Sequence, residues 1–171
     1  SSSSVEAASV CAELGIPILV ATTGHNIDQK RVLTECAKKI PILIAPNTSL
    51  AVYVLHELSL LANKLLGSSY DIEIVELHHR NKLDLPSGTA LSLAGALAEA
   101  NQSKHTVRAE GGKKRKDNEI GVVGIRGGDA PGEHTVYFIG KGERIEITQR
   151  ARDRTVYGRG ALELGSRLVK M

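Results

Sequence analysis

The sequence predicts two joined architectures: α/β with a partial parallel sheet, then α+β with a mixed open sheet carrying helices on one face. Three observations carry this. Two wholly apolar runs, Ile18–Ala21 and Ile42–Ala45, alternate with amphipathic helical stretches over residues 3–49, as in sheets whose strands are buried on both faces. Late in the chain, Ile120–Arg126, Glu133–Ile139 and Glu143–Gln149 are β-like runs separated by glycine-rich turns. Between the two regions, Asp71–Ala90 passes from strand alternation to a helix start.

Composition sets the outer bounds. Of 171 residues, 42% are hydrophobic and 24% charged, with a formal net charge of +3. That is an ordinary globular balance, too weakly basic to argue for nucleic acid. The run Lys113-Lys114-Arg115-Lys116 reads as a solvated loop. No apolar run approaches the ~20 residues of a membrane span and no leader peptide is visible, so a soluble, cytoplasmic protein is expected. Cys11 and Cys36 fall on apolar helix faces and read as small buried hydrophobes rather than a disulfide framework.

Taken in order, Ser3-Ser4-Val5-Glu6 fits a capping box opening a helix to about Leu14, which Gly15 stops. Strand 18–21 turns out through Thr22-Thr23-Gly24. Asn26-Ile27-Asp28-Gln29 repeats the capping logic for a helix to Lys39 that should bury Val32, Leu33, Cys36 and Ala37. Strand 42–45 ends in Pro46-Asn47-Thr48-Ser49. Residues 3–49 therefore read as the second half of a doubly wound, Rossmann-type sheet, whose ligands sit outside the carboxyl ends of the strands. Ser49 caps a helix with a wide apolar band, Leu50, Val54, Leu55, Leu58, Leu61, Ala62, Leu65 and Leu66, which more than one neighbour should cover. Residues 101–119 read as a polar loop. The three late strands, with 71–78, give a sheet of four or more strands containing an antiparallel hairpin at Gly140-Lys141-Gly142. A last helix runs from Tyr157 to Val169.

The stretch Asp71–Ala90 holds the densest chemistry. Ile72, Ile74 and, after a slip at Val75, Leu77 alternate with Asp71, Glu73 and Glu76. At the strand's carboxyl end come His78, His79, Arg80 and Lys82. Pro86 then leads to Ser87, a good N-cap, and an Ala/Leu-rich helix through Ala100. A helix start offers unpaired N–H groups and about half a positive charge. Gly88 permits close approach, Ser87 and Thr89 add hydroxyls, and Lys82 with one or both histidines would face them. This arrangement suits a small anion with more than one carboxylate or phosphate. Zinc is not expected, because adjacent strand histidines point to opposite sides and no HExxH or cysteine pair completes a tetrahedral set. His134, beside Glu133 in a strand, reads as structural.

The run Glu76-Leu77-His78-His79-Arg80-Asn81-Lys82-Leu83-Asp84-Leu85-Pro86-Ser87-Gly88-Thr89-Ala90 resembles the E-x-H-H-x-x-K-x-D-x-P-S-G-T-A signature of the dihydrodipicolinate (4-hydroxy-tetrahydrodipicolinate) reductase family. Arg126 through Thr135 resembles the family's R-G-G-D-x-x-G-E-H-T. The loops at Ala21-Thr22-Thr23-Gly24 and Ala45-Pro46-Asn47-Thr48 resemble its G-T-T-G-F and A-x-N-F/T-S cofactor loops, with Ala21 and His25 departing from the commoner Gly and Phe. The resemblance covers the whole chain in order. It implies NADH- or NADPH-dependent reduction of a cyclic imine dicarboxylate in lysine and diaminopimelate biosynthesis. His78 matches the proton donor and Lys82 a second candidate acid. His79, Ser87, Gly88 and Thr89 match the residues that hold a substrate carboxylate, and Arg154 matches an arginine near the cofactor at the hinge. It further implies a homotetramer built through the second sheet. The domains would be 1–48, the C-terminal half of a dinucleotide-binding domain; 49–153, a substrate and oligomerisation domain; and 154–171, a returning helix.

The family's opening G-x-x-G-R-M-G phosphate turn has no counterpart here. The chain is therefore expected to be a fragment, inactive or nearly so alone. Two rivals stand beside the reductase. Another two-domain nicotinamide oxidoreductase, such as a semialdehyde dehydrogenase, would need a nucleophilic loop cysteine. A non-catalytic anion-binding or oligomerisation module would need only the sheet.

Overall fold

The computed structural model describes residues 2–101, 106–108, 114–117 and 119–170. The chain divides into two units, residues 1–50 with 155–171, and residues 51–154.

The first unit holds α1 (Ser2–Leu14), β1 (Ile18–Val20), α2 (Ile27–Ala37), β2 (Ile42–Ile44) and a late helix, Thr155–Leu168. The two strands pair in parallel, Ile18 opposite Ile42 and Val20 opposite Ile44. Ala8, Val20, Leu33 and Cys36 form the core, with Val5, Ala12, Ile18 and Ile42 against it. Asn26 closes the expected capping box, its side chain accepting from the Gln29 amide while Gln29 accepts from the Asn26 amide. At the first helix the expectation fails, because α1 already runs through Ser3 and the Ser3–Glu6 box lies inside it. Val32 and Ala37 are exposed, so α2 buries a narrower stripe, Leu33 and Cys36. Cys11 is only half-buried. Ile44 stays 48% exposed rather than buried, since its sheet has two strands among the described residues.

The second unit begins with α3 (Leu50–Leu66) and a 3-10 turn, then β3 (Asp71–His78), α4 (Gly88–Ala100), β4 (Thr106–Arg108), β5 (Glu119–Arg126), β6 (Glu133–Ile139) and β7 (Arg144–Arg150); the late helix of the first unit is α5. The sheet order is β4-β5-β3-β6-β7. Central β3 pairs in parallel with β5 and antiparallel with β6. Ile72, Ile74, Ile120, Val122, Val136 and Phe138 face Leu55 of α3 and Ala90, Leu93, Ala94 and Leu97 of α4. The opposite face is open, with Val123, Ile125 and Ile139 exposed.

Three readings are corrected here. β4 occupies part of the segment read as a loop; Gly111, Gly112 and Lys113 lie outside the described residues. Arg115 is not a solvated loop residue: it contacts Glu73 and the Glu119 carbonyl, with its Nε 3.1 Å from Asp71. On α3 the buried row is Val52, Leu55, Ser59 and Asn63, while Leu50, Val54, Leu58, Leu61 and Leu65 are exposed. Ser59 donates to the Leu55 carbonyl and Asn63 to Asn101, which is how an inner helix face tolerates polar groups. The 20-residue helical run Leu50–Ser69 contains an 18-residue window of mean hydropathy 1.2, long and apolar enough by composition alone to cross a membrane. The row through Leu55 nonetheless packs into the sheet core, as in a helix of a globular unit.

Candidate functional site

Strict pleat alternation builds the site. Along β3 the core-facing positions are Ile72, Ile74, Glu76 and His78, without the expected slip at Val75. Leu77 therefore takes the open face and Glu76 is 0% exposed. A buried carboxylate survives only if donors surround it. Arg126, at the end of parallel neighbour β5, donates from Nη1 to Oε2 at 2.8 Å and from Nη2 to Oε1 at 2.7 Å. The Ser87 amide, at the start of α4, donates to Oε1 at 3.1 Å, and Nδ1 of His78 lies against Oε2. Burial pushes the Glu76 carboxyl up, but the Arg126 hydrogen bonds and the His78 ring outweigh it and hold the group below the usual carboxylate range.

Two imidazoles meet there. The His78 and His134 rings pack edge to face with centroids 5.3 Å apart. Burial lowers the His78 pKa, the Glu76 hydrogen bond and charge oppose, and Lys82 and Arg126 add to the lowering. His134 is 2% exposed, and burial, followed by the neighbouring His78, pushes it down to about 4 against the pull of Gln149. Nε2 of His134 lies 3.3 Å from the Ser87 hydroxyl, and that hydroxyl accepts from the Ala90 amide at 3.3 Å, as an N-cap should. His134, read as structural, thus sits in the same cluster as His78.

The loop between β3 and α4 folds back over this cluster. The Lys82 amide donates to the His79 carbonyl at 3.1 Å. Its Nζ lies 2.7 Å from the Asp84 carboxylate. The Lys82 hydrogen bond pulls the Asp84 carboxyl below its ordinary range, against a smaller effect of burial, and the backbone amides of Asp84 and Gly88 act the same way. A carboxylate is therefore held by the Lys82 ammonium close to the start of α4. Gly88 is exposed, and among the described residues no atom beyond its chain neighbours and own helix backbone lies within 4 Å of where a Cβ would stand. Thr89 is half-buried on the same turn. Nη2 of Arg154 lies 3.1 Å from Nε2 of His79; because guanidinium only donates, His79 accepts through Nε2.

The two loops of the first unit lie side by side at the carboxyl ends of β1 and β2, joined by the Ala45 amide donating to the Val20 carbonyl at 3.0 Å. Thr22 and Thr23 are exposed, as are Ala21 and Pro46. Asn47 accepts from the Ser49 amide at 2.9 Å. Thr48 is buried, and its hydroxyl donates to the Tyr157 carbonyl at 2.7 Å. Thr22 and Thr23 thus present hydroxyls outward, while the Asn47 and Thr48 side chains hold their own loop.

Sequence reasoning missed Glu76 and Arg126. The signal was present: an unbroken period of two puts Glu76 in line with Ile72 and Ile74, and Gly124 stands opposite it in register.

A parallel layer of the dinucleotide-binding kind, with a mixed-sheet unit carrying a buried histidine–carboxylate–arginine cluster at a helix start, defines a class of two-unit α/β protein. Residues 51–170 match the profile of the dihydrodipicolinate reductase C-terminus and residues 1–48 that of its N-terminus. The chain belongs to the dihydrodipicolinate reductase family. Among its relatives are proteins named 4-hydroxy-tetrahydrodipicolinate reductase. The one from Anaeromyxobacter dehalogenans (strain 2CP-C) is 42% identical over 167 residues, covering 92% of this chain and 60% of the relative. Those from Aquifex aeolicus and Archaeoglobus fulgidus are 46% and 43% identical, covering 85% and 96% of this chain and 56% and 65% of theirs. The chain spans about 60% of the length of the relatives it matches. A solved structure described as dipicolinate-bound dihydrodipicolinate reductase from Paenisporosarcina sp. TG-14 shares the fold, with TM-score 0.76 at 22% identity over 98% of this chain and 65% of that one.

Proposed function

We propose that the chain carries the substrate site of an NAD(P)H-dependent 4-hydroxy-tetrahydrodipicolinate reductase of lysine and diaminopimelate biosynthesis. The observation that carries this reading is the Lys82 ammonium, which holds the Asp84 carboxylate at 2.7 Å just before the start of α4. That ion pair is the contact a substrate carboxylate would make, beside a glycine whose side-chain space is open. Lys82, Gly88 and Thr89 bind one carboxylate of a cyclic dianion, His79 assists, and Ser87 fixes the helix start from within. His78 supplies the proton, with Lys82 the second candidate acid. The bound nicotinamide would supply a hydride to the ring; Ala21, Thr22, Thr23, Ala45, Pro46, Asn47 and Thr48 would hold its amide and ribose, and Arg154 would lie near it. Exposed Thr22 and Thr23 hydroxyls and neighbouring backbone groups fit that task. Lewis-acid help is unnecessary in this account, because fixed donors and an imidazole carry the charge.

The open face of the second sheet, with exposed Val123, Ile125 and Ile139, is where four copies would assemble as a soluble cytoplasmic tetramer. Calorimetric titration with pyridine-2,6-dicarboxylate tests the site. Saturable binding lost on Lys82→Ala is expected; no binding, or binding indifferent to Lys82, rejects the reading.

A further inference from the structure

The Glu76 carboxylate meets more than one demand at once. Oε1 accepts from Arg126 Nη2 and the Ser87 amide, and Oε2 accepts from Arg126 Nη1 while facing His78 Nδ1. With Arg126 bidentate on it and its pKa held low, the carboxylate is ionised and can only accept. A bare Nδ1 lone pair against it would be two acceptors in contact. His78 therefore carries its proton on Nδ1, and its lone pair stands on Nε2. Gly124, in register with Glu76 on β5, keeps this carboxylate in place: a Cβ there would come within 2.7 Å of Oε1 and 2.1 Å of Leu85 Cδ1.

We propose that Glu76, anchored by Arg126, is the positioning residue of the site: it fixes His78 as the Nδ1–H tautomer, so that Nε2 is the nitrogen that takes up and releases the proton. The assignment rests on the reading of His78 as proton carrier given above. A purely structural pair would tie β3, β5 and the start of α4 together without selecting a tautomer. The titratable and charged groups bearing on His78 are Glu76 on its own strand, Arg126 on β5, the His134 ring on β6 and Lys82 in the loop. Their signs make two substitutions act oppositely. Glu76→Gln keeps the shape and an acceptor for Ser87, but turns an amide donor toward the ring. It should switch His78 to the Nε2–H tautomer and lower its titration midpoint. Arg126→Gln leaves the carboxylate, so the tautomer stays and the midpoint rises.

The test is nitrogen-detected NMR of the His78 ring in the 171-residue chain across pH. Nδ1–H in the unsubstituted chain, with opposite midpoint shifts in the two variants, supports the assignment. Nε2–H in the unsubstituted chain overturns it whether or not either variant folds, as does Glu76→Gln retaining Nδ1–H or Arg126→Gln failing to raise the midpoint. Pyridine-2,6-dicarboxylate added to the same unsubstituted sample separates the two claims. No binding would strike the proposed function, while the tautomer would still decide the role of Glu76.

Discussion

Arg126 grips both oxygens of Glu76 across adjacent parallel strands, at 2.7 and 2.8 Å, with the Arg126 side chain 16% exposed and that of Glu76 wholly buried. Removing one member of such a pair leaves the other desolvated without compensation. Glu76→Ala should therefore cost about 3 kcal/mol, read from urea unfolding followed through β3 amide signals. A loss below about 1 kcal/mol, the scale of a surface pair, would mean that solvent already screens Arg126.

Acid should loosen the second unit in a defined window. His134 titrates at about 4 when folded, against 6.5 as its reference value. Below pH 6.5 the unfolded chain takes up a proton that the folded chain refuses. The stability from the neutral ring is thus full above pH 6.5 and lost progressively as pH falls toward 4, a total on the order of 3 kcal/mol. Glu76, held below its ordinary value, adds a further loss at lower pH as its carboxylate is protonated. Melting temperature measured from pH 7.5 to 4 should fall, and His134→Gln should flatten the upper part of that slope. An unchanged slope in the variant would remove His134 from the account.

In the proposed site Asp84, 2.7 Å from the Lys82 ammonium, would compete with a bound dicarboxylate for that cation. Asp84→Asn removes the internal anion without changing shape. Pyridine-2,6-dicarboxylate affinity should rise severalfold, as expected when a resident charge-assisted contact no longer has to be displaced. Weaker binding by calorimetry would instead make Asp84 a support for Lys82.

In the first unit, Gly160 of α5 lies against the loop after β2, where a Cβ would stand 1.8 Å from the Thr48 carbonyl oxygen. Gly160→Ala must push helix and loop apart, at about 1–3 kcal/mol. Amide exchange should accelerate in α5 and at Thr48, and β3 and β6 should keep their protection. Uniform loss across both units would contradict a local effect.

For turnover, His78→Ala in a full-length reductase carrying this site should lower kcat by roughly 10²–10⁴-fold. A change confined to KM would reassign His78 to binding.

Much of this architecture was legible because local chemistry and tertiary packing agreed. The Asn26–Gln29 box closes as its spacing implies, Ser87 caps α4, and the Gly140–Gly142 turn, with Gly142 at φ 87°, joins the antiparallel pair β6 and β7. Where they disagreed, the sequence misled. Glu76 looked solvent-facing because carboxylates are seldom buried, and its partner Arg126 lies 50 residues on. The β4 strand is held by backbone pairing to β5 and has three residues, too few for an alternation to be read. The α3 stripe looked like a core band, yet the sheet takes only the row through Leu55. The grouping of His78, Lys82 and the start of α4 was readable from one contiguous run, whereas His134 joins them only through the β3–β6 register, Glu76 opposite His134.

The most direct test is amide NMR of the labelled chain during titration with pyridine-2,6-dicarboxylate. The account predicts saturable shifts at Gly88 and Thr89 that track a change at the Lys82 ammonium and vanish in Lys82→Ala. Shifts centred elsewhere, with Gly88 unmoved, would contradict it.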